Sequence, residues 1–171
     1  MSTAPSDFEV IFQALELAGV HFLVVGGVAV VLHGHARFTA DLDLVVALDG
    51  ENVHAFAAAV SALGYRPRAP VQASELADPE KRHAWNEEKG LTVLSFWSSQ
   101  HPATEIDVFV EEPFPMQSAL ERALHVRLGD LSVPVASISD LIDLKRKSAR
   151  PKDLDDIQAL EILRAEEDGD G

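Results

Sequence analysis

Asp41 and Asp43, in the stretch "FTADLDLVV", are the residues whose types and spacing most directly suggest chemistry. On an extended strand successive side chains point to opposite faces, so Asp41, Asp43 and Val45 share one face while Leu42, Leu44 and Val46 face the core. An ionised carboxylate among aliphatic residues is costly unless it is paired, hydrogen-bonded or coordinated to a metal. Two of them, roughly 6–7 Å apart along the strand, suit oxygen-liganded divalent cations. A metal pair calls for a third acid from another strand, and "EIDVFV" offers one: Glu105, Asp107 and Phe109 alternate with Ile106, Val108 and Val110. If this strand lies beside the first, Asp107 completes a cluster with Asp41 and Asp43.

Other residues suit a polyphosphate. Gly26 and Gly27 mark a strand-to-helix turn, where missing side chains let backbone amides approach a phosphate at the positive end of a helix. Fifteen residues later comes the first aspartate, and Arg37 and Thr39 stand on the loop just before it, within reach of a phosphate. Lys145, Arg146, Lys147, Arg150 and Lys152 form the one dense basic run. They read either as polyanion contacts or as a solvated helix face on which Asp143 and Lys147 make an i, i+4 pair. Asp153 could pair with a basic residue of the site, but its place in the first turn after Pro151 is already explained by capping and the helix dipole, the favoured reading. His33 and His35 lack the spacing of a zinc site, and His33 reads as a helix-end residue. Trp85 and Trp97 read as packing residues.

The elements that must position these groups follow from the pattern. Ser6, with Glu9 three residues on, starts a helix bearing Phe8, Ile11, Phe12, Leu15 and Leu17, and Gly19 ends it. "HFLVV" is a buried strand, Val28 to Leu32 a short helix, "GHARFTA" a loop, and Asp41 to Ala47 a strand. Val53 to Leu63 is an amphipathic helix closed by Gly64. Leu91–Trp97 and Glu105–Val110 form two strands joined by the polar "SSQHPAT", and "HVRLGDLSVPVAS" gives two shorter extended pieces. From Ser137 the pattern is helical, with a break at Pro151, and "RAEEDGDG" reads as a disordered acidic tail. The expected organisation is a core over residues 1–136, with a peripheral insertion at about 65–90, and a helical C-terminal segment over 137–171.

The chain has 171 residues, 14 basic against 28 acidic, a net charge of -14 and no cysteine. Disulfides and thiolate metal sites are thereby excluded, and the acidic surface disfavours nucleic-acid and anionic-membrane partners. With no signal-like N-terminus and no apolar run long enough to span a bilayer, the expectation is a soluble cytoplasmic protein without membrane association.

Gly26-Gly27, His33-Gly34, Arg37-x-Thr39 and Asp41-x-Asp43 follow one another in the order found in a known family. Together with "EIDVFV" and the C-terminal "LKRKSARPKDLDDIQAL", the chain resembles the nucleotidyltransferases of the polymerase-beta superfamily, in the small bacterial branch that includes toxin-antitoxin and phage-abortive-infection enzymes. The resemblance implies an α/β fold with a short, mixed, strongly twisted sheet, flanking helices and a helical C-terminal segment closing one side of a nucleotide cleft. It further implies that Asp41, Asp43 and Asp107 hold Mg2+, with Mn2+ as a substitute, and that Asp107 helps to deprotonate an acceptor hydroxyl. Gly26, Gly27, Arg37, Thr39 and Lys145 would bind the nucleoside triphosphate. The acceptor is unknown, a protein or small molecule being favoured over tRNA, and a partner protein fits a toxin-antitoxin setting. The contrasting reading is a non-catalytic relative acting as an antitoxin or regulatory partner; retention of all three carboxylates favours catalysis.

Overall fold

The computed structural model of the chain describes residues 6–148 and 150–169. Expectations for Met1–Pro5, the final two residues and the Lys152 side chain lie outside what is described. Helix α1 (Asp7–Leu17) starts where the Ser6 hydroxyl accepts the Glu9 amide at 3.3 Å, and Gly19, at φ 69°, turns the chain into strand β1 (Phe22–Val25). Then follow α2 (Gly26–Leu32), β2 (Leu42–Val46), α3 (Gly50–Ala62), β3 (Arg66–Pro67), a 3-10 turn (Ala73–Ala77), α4 (Pro79–Lys89), β4 (Val93–Trp97) and β5 (Ile106–Phe109). The chain ends with α5 (Met116–Arg122), β6 (Leu124–Leu128), β7 (Leu131–Val135), α6 (Ile138–Ser148) and α7 (Pro151–Gly169).

The strands make one mixed sheet in the order β3-β4-β5-β2-β1-β7-β6. β2 runs parallel to β5 and β1 parallel to β7, whereas the other neighbours are antiparallel. β2 and β1 are therefore central, and their burial reflects it. Leu42, Leu44 and Val46 are buried as the alternation requires, yet Val45, on the carboxylate face, is buried too. Its face is covered because α2 packs on β2 and against α6 and α7, leaving only the Asp43 end of the strand open.

Two expectations about the outer parts are modified. Segment 65–90 supplies the edge strand β3 and packs Leu76 and Trp85 into the main core, at 0% and 6% exposure. The acidic end is helical through Gly169 rather than disordered. Leu160 is buried and Ile157 and Leu163 pack against the core, so one stripe of α7 is anchored. Arg164, Ala165, Glu166 and Glu167 extend an existing helix with good helix formers, which needs no new nucleus.

Candidate active site

Because β2 and β5 are parallel and in register, Asp43 lies directly beside Asp107. Neighbouring strands are about 4.8 Å apart, so the two carboxylates leave the same sheet face side by side. On β4, Ser95 is the cross-strand neighbour of Asp107. Asp41 sits one residue before β2, exposed at the lip, but its charge acts on both of the others.

The electrostatic consequence is large. Burial, then Asp107, then Asp41 push the Asp43 carboxyl up to about 7, against a partial offset from Lys145 and Arg150. Asp107 is also raised, chiefly by burial and further by Asp41 and Glu105, while Ser95 opposes the shift. Asp107 Oδ1 is buried without a hydrogen-bond partner. Facing acids with an orphaned oxygen suit a cation, which would neutralise the pair and occupy that oxygen. Among the described residues, no three histidine or acidic side chains already stand around one point at metal-holding distance. Asp43 and Asp107 are brought together, and Asp41 remains at the rim.

The diglycine has a role in this packing. Gly26 stands beside Asp43, because β1 pairs antiparallel with β2 and Val25 aligns with Asp43. A Cβ on Gly26 would overlap the Asp43 carboxylate, with its Cγ only 2.8 Å away, and the backbone there has φ 69°. A Cβ on Gly27 would stand 2.8 Å from Thr39 Oγ1 and 3.5 Å from the Arg37 guanidinium carbon. The two glycines thus admit Asp43 on one side and the Arg37–Thr39 loop on the other. The Thr39 hydroxyl donates to the Asp41 carbonyl at 3.4 Å, tying that loop to the start of β2.

The opposite wall comes from α6 and the start of α7, across a cleft of about 500 Å³. Lys145 and Arg150 face it, whereas Arg146 pairs outward with Glu161 at 3.0 Å. Lys147 lines the rim and donates to the Pro113 carbonyl at 3.2 Å, a different partner from Asp143. The Lys145 ammonium is buried, 2.8 Å from Asp156 and 3.7 Å from Asp153. Asp156 also accepts from Arg37. Asp153 accepts from the Arg150 backbone amide and guanidinium and from the Ser148 hydroxyl. Burial alone would raise its carboxyl, but these donors and the charges of Arg150 and Lys145 hold it below the usual carboxylate range. Asp153 therefore caps α7, as expected, and joins the basic wall as well. His33 Nε2 donates to the Ala136 carbonyl, 2.8 Å away, which fixes the end of α2 to the chain after β7.

Asp156 is the site residue whose role the sequence analysis did not assign. Its signal was the i, i+3 spacing from Asp153, which places both acids on one face of α7.

An open mixed sheet with such a cleft at its centre places the protein among the nucleotidyltransferases. More narrowly, the chain belongs to the family described as "Nucleotidyl transferase AbiEii toxin, Type IV TA system", which matches residues 10–168. The fold is shared with the lincosamide antibiotic adenylyltransferase LnuA in its lincomycin-bound form, at 15% identity and a TM-score of 0.62, covering 91% of this chain and 95% of that one. ANT(2″)-Ia, solved with adenylyl-2″-tobramycin, is similar at 18% identity and a TM-score of 0.56, with 92% of each chain covered. An antigenic nucleotidyltransferase-like protein from Paracoccidioides brasiliensis is similar at 17% identity and a TM-score of 0.52, covering 92% and 78%. No curated protein matches the sequence. No helix among the described residues is long and apolar enough to cross a membrane.

Proposed function

We propose that the protein transfers a nucleoside monophosphate from a nucleoside triphosphate to a hydroxyl of a protein or small-molecule acceptor, with a divalent cation at Asp43 and Asp107. The observation that carries this reading is the register of those two acids on parallel strands, facing Lys145 and Arg150 across one cleft. Asp41, whose charge both acids feel, would join them as a ligand once a cation draws the three together. Mg2+ fits this all-oxygen donor set, and Mn2+ can replace it.

When bound, the cation supplies neutralisation of the triphosphate charge and of the developing charge on the leaving group. The chain's own residues do the rest. Lys145 and Arg150 present donors to the phosphates, and Arg37 and Thr39 hold the loop that leads into Asp41. The acceptor oxygen bonds to the α-phosphorus as the bond to pyrophosphate breaks, and the acceptor proton passes to the Asp107 carboxylate beside it. Positioning and charge compensation lower most of the barrier.

A toxin activity within a two-gene system, with a partner protein that restrains it, is the setting suggested by the family's description. LnuA and ANT(2″)-Ia point to small-molecule acceptors, and the -14 net charge disfavours tRNA. Isothermal titration with each nucleoside triphosphate, with and without Mg2+, tests the reading. Cation-dependent binding that disappears in Asp43→Asn supports it; the absence of cation-dependent binding in the wild type favours the non-catalytic alternative.

A further inference from the structure

We propose that Trp97, Arg66 and Arg68, on the sheet edge beyond Asp107, form an acceptor subsite that selects a small hydroxyl compound carrying a phosphate group over a polycationic one. This rests on the reading of Asp107 as the residue next to the attacking hydroxyl.

The register places these residues. Ser95 is opposite Asp107, so Trp97, two residues further along β4, leaves the same face as a diagonal neighbour of Asp107. Such neighbours lie about 7–8 Å apart, within reach of a long side chain or a small ligand. Arg66 pairs with Trp97 across the β3–β4 ladder. Its guanidinium carbon stands 5.0 Å from the ring centroid, and that of Arg68 stands 5.8 Å away. Arg68 Nε lies 2.6 Å from Glu105, which is two residues before Asp107. The hydrogen bond to Glu105 holds the Arg68 guanidinium above its ordinary pKa, and the charge of Asp107 contributes, so the two groups are within electrostatic reach.

The ledge is wet and pre-oriented. Arg66 and Arg68 are exposed, with 56% of the Arg68 side chain open to solvent. The indole lies within cation–π reach of both guanidinium groups. Arg68 gives its Nε and one Nη to Glu105, which leaves its other Nη and the exposed Arg66 guanidinium to meet phosphate oxygens. Lys145 and Arg150 already serve the triphosphate on the α6–α7 wall, which leaves this second cationic group to meet the other reactant. An anionic acceptor beside three aspartates needs such compensation; a polyamine would instead meet the Arg66 guanidinium and the Arg68–Glu105 pair, which together keep one net positive charge.

The test is calorimetric titration of the wild type and the R66Q/R68Q variant, each saturated with a non-hydrolysable ATP analogue and Mg2+. The probes are ribose 5-phosphate, which has free hydroxyls and one phosphate, and tobramycin. Both arginines are exposed, so the variant should fold, and its affinity for the ATP analogue should stay within about twofold of wild type. Ribose 5-phosphate should bind the wild type and lose at least about tenfold in the variant, and Trp97→Leu should act in the same direction. Equal ribose 5-phosphate binding in both proteins, no such binding in the wild type, or tighter binding of tobramycin than of ribose 5-phosphate to the wild type would overturn the inference. A wild type that does not bind the ATP analogue overturns the underlying functional reading instead.

Discussion

Asp156 holds two cations from separate parts of the chain, the Lys145 ammonium at 2.8 Å and the Arg37 guanidinium. One buried carboxylate thereby joins α7, α6 and the loop that precedes the Asp41–Asp43 strand. Its neighbours are not symmetric: Lys145 is nearly buried, whereas Arg37 is partly open to water.

Asp156→Asn should therefore act through Lys145. We expect the Michaelis constant for the nucleotide to rise about tenfold in Asp156→Asn and in Lys145→Met, with the double variant well short of the product of the two effects. Lys147→Met, which removes an exposed lysine bonded only to the Pro113 carbonyl among its described contacts, should change it by less than about threefold. Steady-state kinetics reads this out; independent, multiplying effects would separate Asp156 from the nucleotide wall. Asp156→Ala leaves Lys145 buried beside a weaker partner and should cost about 3–5 kcal/mol of stability by denaturant titration.

The raised pKa of Asp43 predicts the pH dependence of stability. Its folded value, about 7, exceeds the ordinary 3.8. Between pH 4 and 7 the folded state keeps a proton that the unfolded state has lost, so this contribution is full below pH 4 and gone above 7. Stability of the cation-free protein should fall across that window. Asp43→Asn should flatten the curve and be more stable than wild type at pH 8 by up to about 4 kcal/mol. Thermal unfolding in chelator from pH 4 to 8 checks it, and an unchanged slope in Asp43→Asn would contradict it.

Cation binding should mirror this. A cation replaces the Asp43 proton, so affinity should climb with pH up to about 7 and level off above it. Calorimetry at pH 6 in two buffers of different ionisation enthalpy should show close to one proton released per Mg2+ or Mn2+, falling toward zero at pH 8.

Gly26 offers a structural test. An added methyl has to displace the Asp43 carboxylate and adopt φ 69°, so Gly26→Ala should cost at least about 2 kcal/mol and most of the activity. Gly50→Ala, which has open space and ordinary backbone angles at the start of α3, should be neutral or slightly stabilising. Denaturation midpoints and nucleotide binding of the two variants decide between a fit to Asp43 and a generic loss of flexibility.

The alternation of aliphatic and acidic residues was enough to find β2 and β5 and to put Asp43 and Asp107 on the polar faces of their strands, because period-2 patterns survive in any sheet that buries one face; that the two strands are neighbours entered only as a condition. The diglycine was legible as a turn, but its place beside Asp43 depended on strand order, which periodicity does not encode. Segment 65–90 was opaque because its buried residues, Leu76 and Trp85, are isolated in a polar run and meet the core only through tertiary packing. The basic run from Lys145 to Lys152 could not be sorted by sequence alone. Inward Lys145 and outward Arg146 are successive residues of α6, about 100° apart around the helix, and the buried acids that draw Lys145 inward lie on α7. Asn52 is similar: its amide bridges the His21 and Ala47 carbonyls, a contact set by the packing of α3 beside the ends of β1 and β2.

The central claim is that Asp43 and Asp107 jointly carry nucleotide transfer. It is tested most directly by incubating purified protein with α-labelled nucleoside triphosphates, Mg2+ and cell lysate, and following label into acceptor and release of pyrophosphate. The wild type should transfer label from at least one nucleotide, and Asp43→Asn and Asp107→Asn should each lose at least about a hundredfold in rate while remaining folded. Transfer at the wild-type rate by either variant would contradict the account.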